Sequence, residues 1–136
     1  MKTYNTKEAA ALLNIPAHTL RYYDRIKLLS PGYYERSYRT YSQKEILLLR
    51  YIIVLRHIGC SIDEIQPILA LYFKPITQEC IDQLMSFITL QQNRVQSQIE
   101  QLSTISTLLT LASQNIGQEN DAMDQLITKV CDDIQS

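Results

Sequence analysis

Two short runs hold the residues most able to do chemistry. They are Thr19-Leu20-Arg21-Tyr22-Tyr23-Asp24 and, just behind it, Tyr33-Tyr34-Glu35-Arg36-Ser37-Tyr38-Arg39-Thr40-Tyr41. Guanidinium groups grip phosphate or the edge of guanine, and phenol hydroxyls donate to phosphate oxygens while their rings lie along the sugar backbone. At helical spacing Leu20 and Tyr23 point one way, which leaves Thr19, Arg21 and Tyr22 for a partner. The second run alternates as a strand does and follows the turn signal Pro31-Gly32. A short helix with a basic hairpin beside it suits a duplex, the helix in the major groove and the hairpin on the flanking phosphates. The expected contacts are Thr19, Arg21, Tyr22, Arg36, Tyr38 and Arg39. His18, one turn before Tyr22, can reach a base edge or stand as an exposed polar residue. Tyr23 and Tyr41 have apolar neighbours at packing spacing, so contact and core burial both stay open for them.

The charge distribution points to the same half of the chain. The net charge of −1 divides into ten Lys/Arg against four acids over residues 1–58 and three against ten over 59–136. A basic head on an acidic body is expected when the head alone meets a polyanion. Seven of the nine tyrosines fall within the first 41 residues. The 46% apolar content supplies a globular core. No apolar run approaches the roughly 18 residues a membrane span needs, and the N-terminus lacks the apolar segment of a secretory signal. Cytoplasmic residence is the expectation. Cys60, Cys80 and Cys131 are far apart and odd in number, with no C-x-x-C, so reduced structural thiols are expected rather than a disulfide framework.

These residues need elements to position them. Thr6 is read as the N-cap of a helix through Leu13, and Asn14 as the left-handed residue that ends it. Ile15-Pro16 turns the chain into a second helix carrying Thr19 to Tyr23, a helix-turn-helix pattern. Ser42-Gln43-Lys44-Glu45 is a capping box for a third helix, which Gly59 ends. Ser61-Ile62-Asp63-Glu64 is a second box for a fourth helix, where Pro67 predicts a kink. These two helices form the scaffold behind the reading unit.

Beyond Pro75 a long helix is predicted from about Thr77. Positions 84, 88, 91, 95, 98, 102, 105, 109 and 112 alternate four and three apart, and seven of the nine are apolar. That is a coiled-coil seam, with Leu84, Ile88, Val95, Leu102, Ile105 and Leu109 as the dimerisation residues and Gln91 and Gln98 fixing register. A helix over 77–112 extends roughly 54 Å, too long to bury its seam on so small a head, so a second copy is the expected partner. Ser113 to Asn120 breaks the pattern. A last amphipathic helix then puts Met123, Leu126, Ile127, Val130 and Ile134 on one stripe.

The runs Asn14 to Arg25, Leu28-Leu29-Ser30-Pro31, Ser37 to Tyr41, Ile52 to Arg56 and Gly59 to Ile65 closely resemble the MerR family of bacterial transcription regulators. The resemblance covers about the first half of the chain. One departure is Ser37, where the family's wing usually carries glycine. The fold class that follows is all-α dominated. A winged helix-turn-helix head with a small β wing spans 1–74, a dimerising coiled-coil helix 75–112, and a short C-terminal effector or packing segment 113–136. The resemblance implies an antiparallel homodimer on a promoter pseudo-palindrome of double-stranded DNA, distortion of the spacer, and RNA polymerase as a partner. It also implies a signal, and here the chain offers little. Metal-sensing members carry a cysteine at the start of the long helix and a Cys-bracketed loop after it. Cys80 lies near the first position, but the stretch from Ala112 to Ala122 has neither Cys nor His, and no metal site is expected. Thiol-switch members carry a cysteine in the third helix, where this chain has Ile46 and its neighbours. Drug-sensing members carry a large extra C-terminal domain, which so short a last segment does not make. Met123, Leu126 and Ile127 are left as the candidate region for a small apolar effector, with plain packing as the other reading.

There is no Gly-rich phosphate loop, nucleophile motif or ligand-spaced acid and histidine set, so neither catalysis nor a cofactor is expected. The rival classes are a coiled-coil module whose head binds protein and a ligand-independent architectural DNA-binder. The basic head and the Tyr/Arg run count against the first, and the long dimerising helix against the second.

Overall fold

A computed structural model describes residues 2–29 and 39–136. In chain order it contains β1 (Thr3–Asn5), α1 (Thr6–Leu13), α2 (Ala17–Arg25), β2 (Thr40–Ser42), α3 (Gln43–His57), α4 (Ile62–Tyr72), α5 (Gln78–Gln114) and α6 (Asp121–Gln135). The chain divides into two compact units, residues 1–88 and 89–136, with the boundary falling inside α5.

In the first unit the helix ends follow from the side chains that satisfy them. Asn5, not Thr6, caps α1: its side chain accepts from the Glu8 amide at 2.8 Å while Glu8 accepts from the Asn5 amide at 2.9 Å. Thr6 is the first helical residue. Asn outranks Thr as a cap, and the acid three residues on completes the reciprocal pair. Ser42 and Ser61 cap α3 and α4 in the same way, with Glu45 and Glu64 closing the two boxes. Pro16 stands at the cap position immediately before α2 rather than in its first turn. Pro67 lies inside α4.

Three helices end alike. Asn14, Lys27 and Gly59 have φ of 55°, 57° and 101°. After each, the next amide reaches back five residues, Ile15 to Ala10, Leu28 to Tyr23 and Cys60 to Leu55, at 3.0–3.1 Å. These are Schellman turns, which satisfy carbonyls the helix leaves unpaired. Asn14 and Gly59 announce themselves in the sequence. Lys27 does not.

β1 and β2 pair antiparallel, with Thr3 opposite Ser42, Tyr4 opposite Tyr41 and Asn5 opposite Thr40. The N-terminal residues, which pattern alone reads only as a lead into α1, thus form a strand. The pairing puts the caps of α1 and α3 at opposite ends of the ladder, Asn5 beside Thr40 and Ser42 beside Thr3. The core beneath draws Ala9 and Leu13 from α1, Leu20 and Tyr23 from α2, Tyr41 from β2, Leu49 and Ile52 from α3, and Ile65 and Leu69 from α4. Phe87, on α5, packs against this cluster half-buried.

The second unit holds the remainder of α5 and α6. The helix runs two residues past the expected break and ends at Gln114. The Asn115 side chain then donates to the Leu111 carbonyl at 2.7 Å, and Gly117 turns with φ of 77°. Asn120 caps α6, accepting from the Met123 amide at 3.2 Å. Leu108 and Val130 are buried.

Candidate nucleic-acid interface

α2 is short, and its two buried residues, Leu20 and Tyr23, press it onto the core. The same spacing turns His18, Arg21, Tyr22 and Arg25 outward, with Thr19 half-buried beside them. The Arg25 guanidinium lies 5.6 Å from the centre of the Tyr22 ring, and that ring stands 6.0 Å from Tyr23. The outward face of α2 is therefore cationic and aromatic. It can donate hydrogen bonds to phosphate and to acceptors on base edges, and no side chain caps its N-terminus.

Of the two readings open for Tyr23 and Tyr41, core burial is what the structure shows, at 8% and 0% exposure. Arg36 and Tyr38 lie outside the described residues, as do Ser37 and most of the expected hairpin. Only its last residues are described, and they pair with the N-terminal strand.

Arg39 is placed differently from Arg21. Its Nε lies 3.5 Å from Asp24 Oδ1, and its side chain is 18% exposed. Its Nη2 donates to Glu45 Oε2 and its Nη1 to the Thr40 carbonyl. The Tyr41 hydroxyl donates to the second oxygen of Asp24. The guanidinium stands 4.4 Å from the centre of the Tyr41 ring. Asp24, near the end of α2, is thus tied to β2 and, through Arg39, to α3. Gln66 on α4 adds a further tie, its amide donating to the Ile26 carbonyl at 3.1 Å just beyond α2. Sequence spacing pointed to neither set: Asp24 and Arg39, and Gln66 and Ile26, are distant in the chain, and only folding brings them together.

The expected dimerisation residues lie along α5 with unequal exposure. Leu84, Val95 and Ile105 are half-buried, and Ile88 is exposed. Leu102 and Leu109 are exposed at 63% and 65%. Gln91 is buried, and neither atom of its amide has a hydrogen-bond partner among the described residues. Met123 and Leu126 are half-buried and Ile127 is exposed. A cleft of about 630 Å³ between α5 and α6 is lined by Leu90, Asn93, Arg94, Ser97, Gln98, Gln101, Asp133 and Ser136. None of the three expected effector residues lines it. Among the described residues no group of three or more His, Cys, Asp or Glu could hold a metal ion, and no helix is long and apolar enough to cross a membrane.

Comparison with known proteins bears on the same region. The family profile described as "MerR HTH family regulatory protein" matches residues 4–71, from β1 to α4. The mercuric resistance operon regulatory protein of Bacillus cereus is 30% identical over 103 residues, covering 75% of this chain and 76% of that one. The multidrug-efflux transporter 1 regulator of Bacillus subtilis is 27% identical over 115 residues, 83% of this chain and 38% of that one. This chain thus spans less than half the length of some curated relatives it matches. Among solved structures, HiNmlR is a MerR family regulator lacking the sensor domain and bound to promoter DNA. It superposes with a TM-score of 0.71 at 30% identity, over 81% of this chain and 86% of that one.

Proposed function

Since the chain belongs to the MerR family of helix-turn-helix regulatory proteins, we propose that it is a sequence-specific transcription regulator that binds promoter DNA through the outward face of α2. The observation that carries this is the division of α2 into a buried Leu20/Tyr23 side and an exposed His18/Arg21/Tyr22/Arg25 side. A helix held by one face and cationic on the other is what a major groove admits. HiNmlR, whose fold this chain shares over most of its length, was solved on promoter DNA. In this reading His18, Thr19, Arg21 and Tyr22 face the duplex, and Arg36 and Tyr38 reach phosphates beside it. Tyr23 holds the helix from beneath.

The protein acts as a homodimer. The apolar residues left exposed on α5, Leu102 and Leu109 foremost, need cover, and a second α5 supplies it. The DNA-binding head over 1–74, coiled coil over 75–112 and terminal segment over 113–136 belong to this reading, as do cytoplasmic residence and contact with RNA polymerase. Two heads on a pseudo-palindrome distort the spacer between them, at a cost of about 1–6 kcal/mol that the phosphate contacts offset. An effector, where one acts, is a small apolar molecule near Met123, Leu126 and Ile127.

The test is a footprint of the purified protein on the DNA flanking its own gene. Two protected half-sites with hypersensitive bases between them are expected. Absence of protection at low salt, there and on a selected pool of random duplexes, would overturn the reading in favour of a protein-binding head.

A further inference from the structure

We infer that Arg39 is a positioning residue for DNA recognition, one that locks the start of β2 to the end of α2 through Asp24 and to α3 through Glu45. The inference rests on the reading of the protein as a DNA-binding regulator and says how that site keeps its shape.

Three elements converge on one guanidinium. Asp24 lies at the end of α2, three residues beyond Arg21 and two beyond Tyr22. Arg39 directly precedes β2, and Glu45 sits in the first turn of α3. Arg39 meets Asp24 at 3.5 Å and donates to Glu45 and to the Thr40 carbonyl. Its guanidinium carbon lies over the Tyr41 ring, 4.4 Å from the centre, and the hydroxyl of that tyrosine donates to Asp24. Glu45 is fixed in its turn, because its other oxygen accepts from the Ser42 amide at 3.2 Å in the capping box of α3.

This arrangement suits a strut better than a phosphate contact. A guanidinium presents five donors in a rigid planar fork, and it holds two carboxylates and stacks on a ring only when those groups stand in one geometry. The side chains of Arg39 and Asp24 are 18% and 19% exposed, so their attraction is screened less than that of a surface pair. To grip DNA directly, Arg39 would have to leave both acids, and a partly buried charge is costly to strand. The consequence is geometric. The lock fixes β2 and the start of α3 against the end of α2, and so against Arg21 and Tyr22 on that helix.

The test compares wild type, R39A, R39K, D24N and the D24N/R39A pair. Each binds a duplex carrying the footprinted half-sites, and a random duplex of equal length, across a salt series. Positioning predicts that R39A and D24N each weaken specific binding by about tenfold and that the double variant is no weaker than the worse single one. Any change in the dependence of log affinity on log salt is shared by D24N and R39A, because both act by releasing the same hold and not by removing a phosphate contact of Arg39 itself. R39K loses affinity as R39A does although it keeps the charge, since an ammonium cannot fork between two carboxylates. The opposite pattern would overturn the inference. It consists of a slope lower by about one unit in R39A, wild-type behaviour in R39K, and unchanged or tighter binding in D24N. Should R39A fail to fold, R39K and Tyr41→Phe carry the same comparison. Thermal melts without DNA separate the two readings. If wild type binds no duplex, the regulator reading fails by itself, and the lock is judged by whether the D24N and R39A losses are coupled or simply add, the latter overturning it.

Discussion

The side-chain amide of Gln66 donates to the backbone carbonyl of Ile26 at 3.1 Å, across 40 positions of sequence. Ile26 caps the C-terminus of α2, where carbonyls run out of helical partners. One side chain from α4 therefore holds the end of the helix proposed to face DNA. Gln66→Leu keeps the bulk and strands that carbonyl. It is expected to cost about 1 kcal/mol of stability and to weaken specific binding. Urea denaturation checks the first, and a midpoint equal to wild type would remove Gln66 from the set of positioning contacts.

Lys27 occupies a conformation that suits glycine. Its φ of 57° places it in the left-handed region. Lys27→Gly relieves a strain of about 1–2 kcal/mol and gives part of it back through a more flexible unfolded chain. A net gain of roughly 0.5–1 kcal/mol is expected in urea denaturation. A loss would mean that the lysine side chain makes up for its backbone.

The cap of α1 is open to direct test. Asn5→Ala should cost about 1 kcal/mol, because it leaves the Glu8 amide without its acceptor while the backbone amide of residue 5 can still donate to Glu8. Thr6→Ala, one residue on and already helical, should change the melting midpoint far less. Equal losses would contradict the assignment.

Arg21 stands exposed on the outward side of α2. If it meets a base edge, Arg21→Ala loses about 1–3 kcal/mol of discrimination at one position of the half-site and leaves random-duplex binding nearly as it was. Competition binding against single-position variants of the site measures this. Weakening by one factor on every duplex, with a shallower salt slope, would assign Arg21 to phosphate.

Leu102 is 63% exposed on the single chain. Covered by a second copy, it makes Leu102→Asp disruptive, since a charge in a coiled-coil seam has no partner. Sedimentation should show a dimer for wild type and a monomer for the variant. A monomeric wild type would refute the seam.

The capping boxes at Ser42 and Ser61, the left-handed Asn14 and Gly59, and the long α5 were all legible because each depends on residues within one or two turns. So was the inward direction of Leu20 and outward direction of Arg21, which helical periodicity sets. The N-cap slipped by one because Asn5 and Thr6 are both good caps, and the choice is settled by which one the Glu8 pair completes. Lys27 left no trace, since lysine does not mark a left-handed residue. Only the core's grip on Tyr23 and Leu28, on either side of it, bends the chain there.

The sequence by itself determined the helices, their ends, and which residues have the chemistry to meet a polyanion, because those properties are local. The tertiary structure decided where each cation stands. Arg21 and Arg39 are the same residue type in similarly basic runs. One projects from a helix held by its opposite face. The other is drawn inward by two acids that reach it only once β2 pairs with β1 and α3 packs beneath. A charge takes its role from the partners folding brings within a few ångströms, and no spacing along the chain records that.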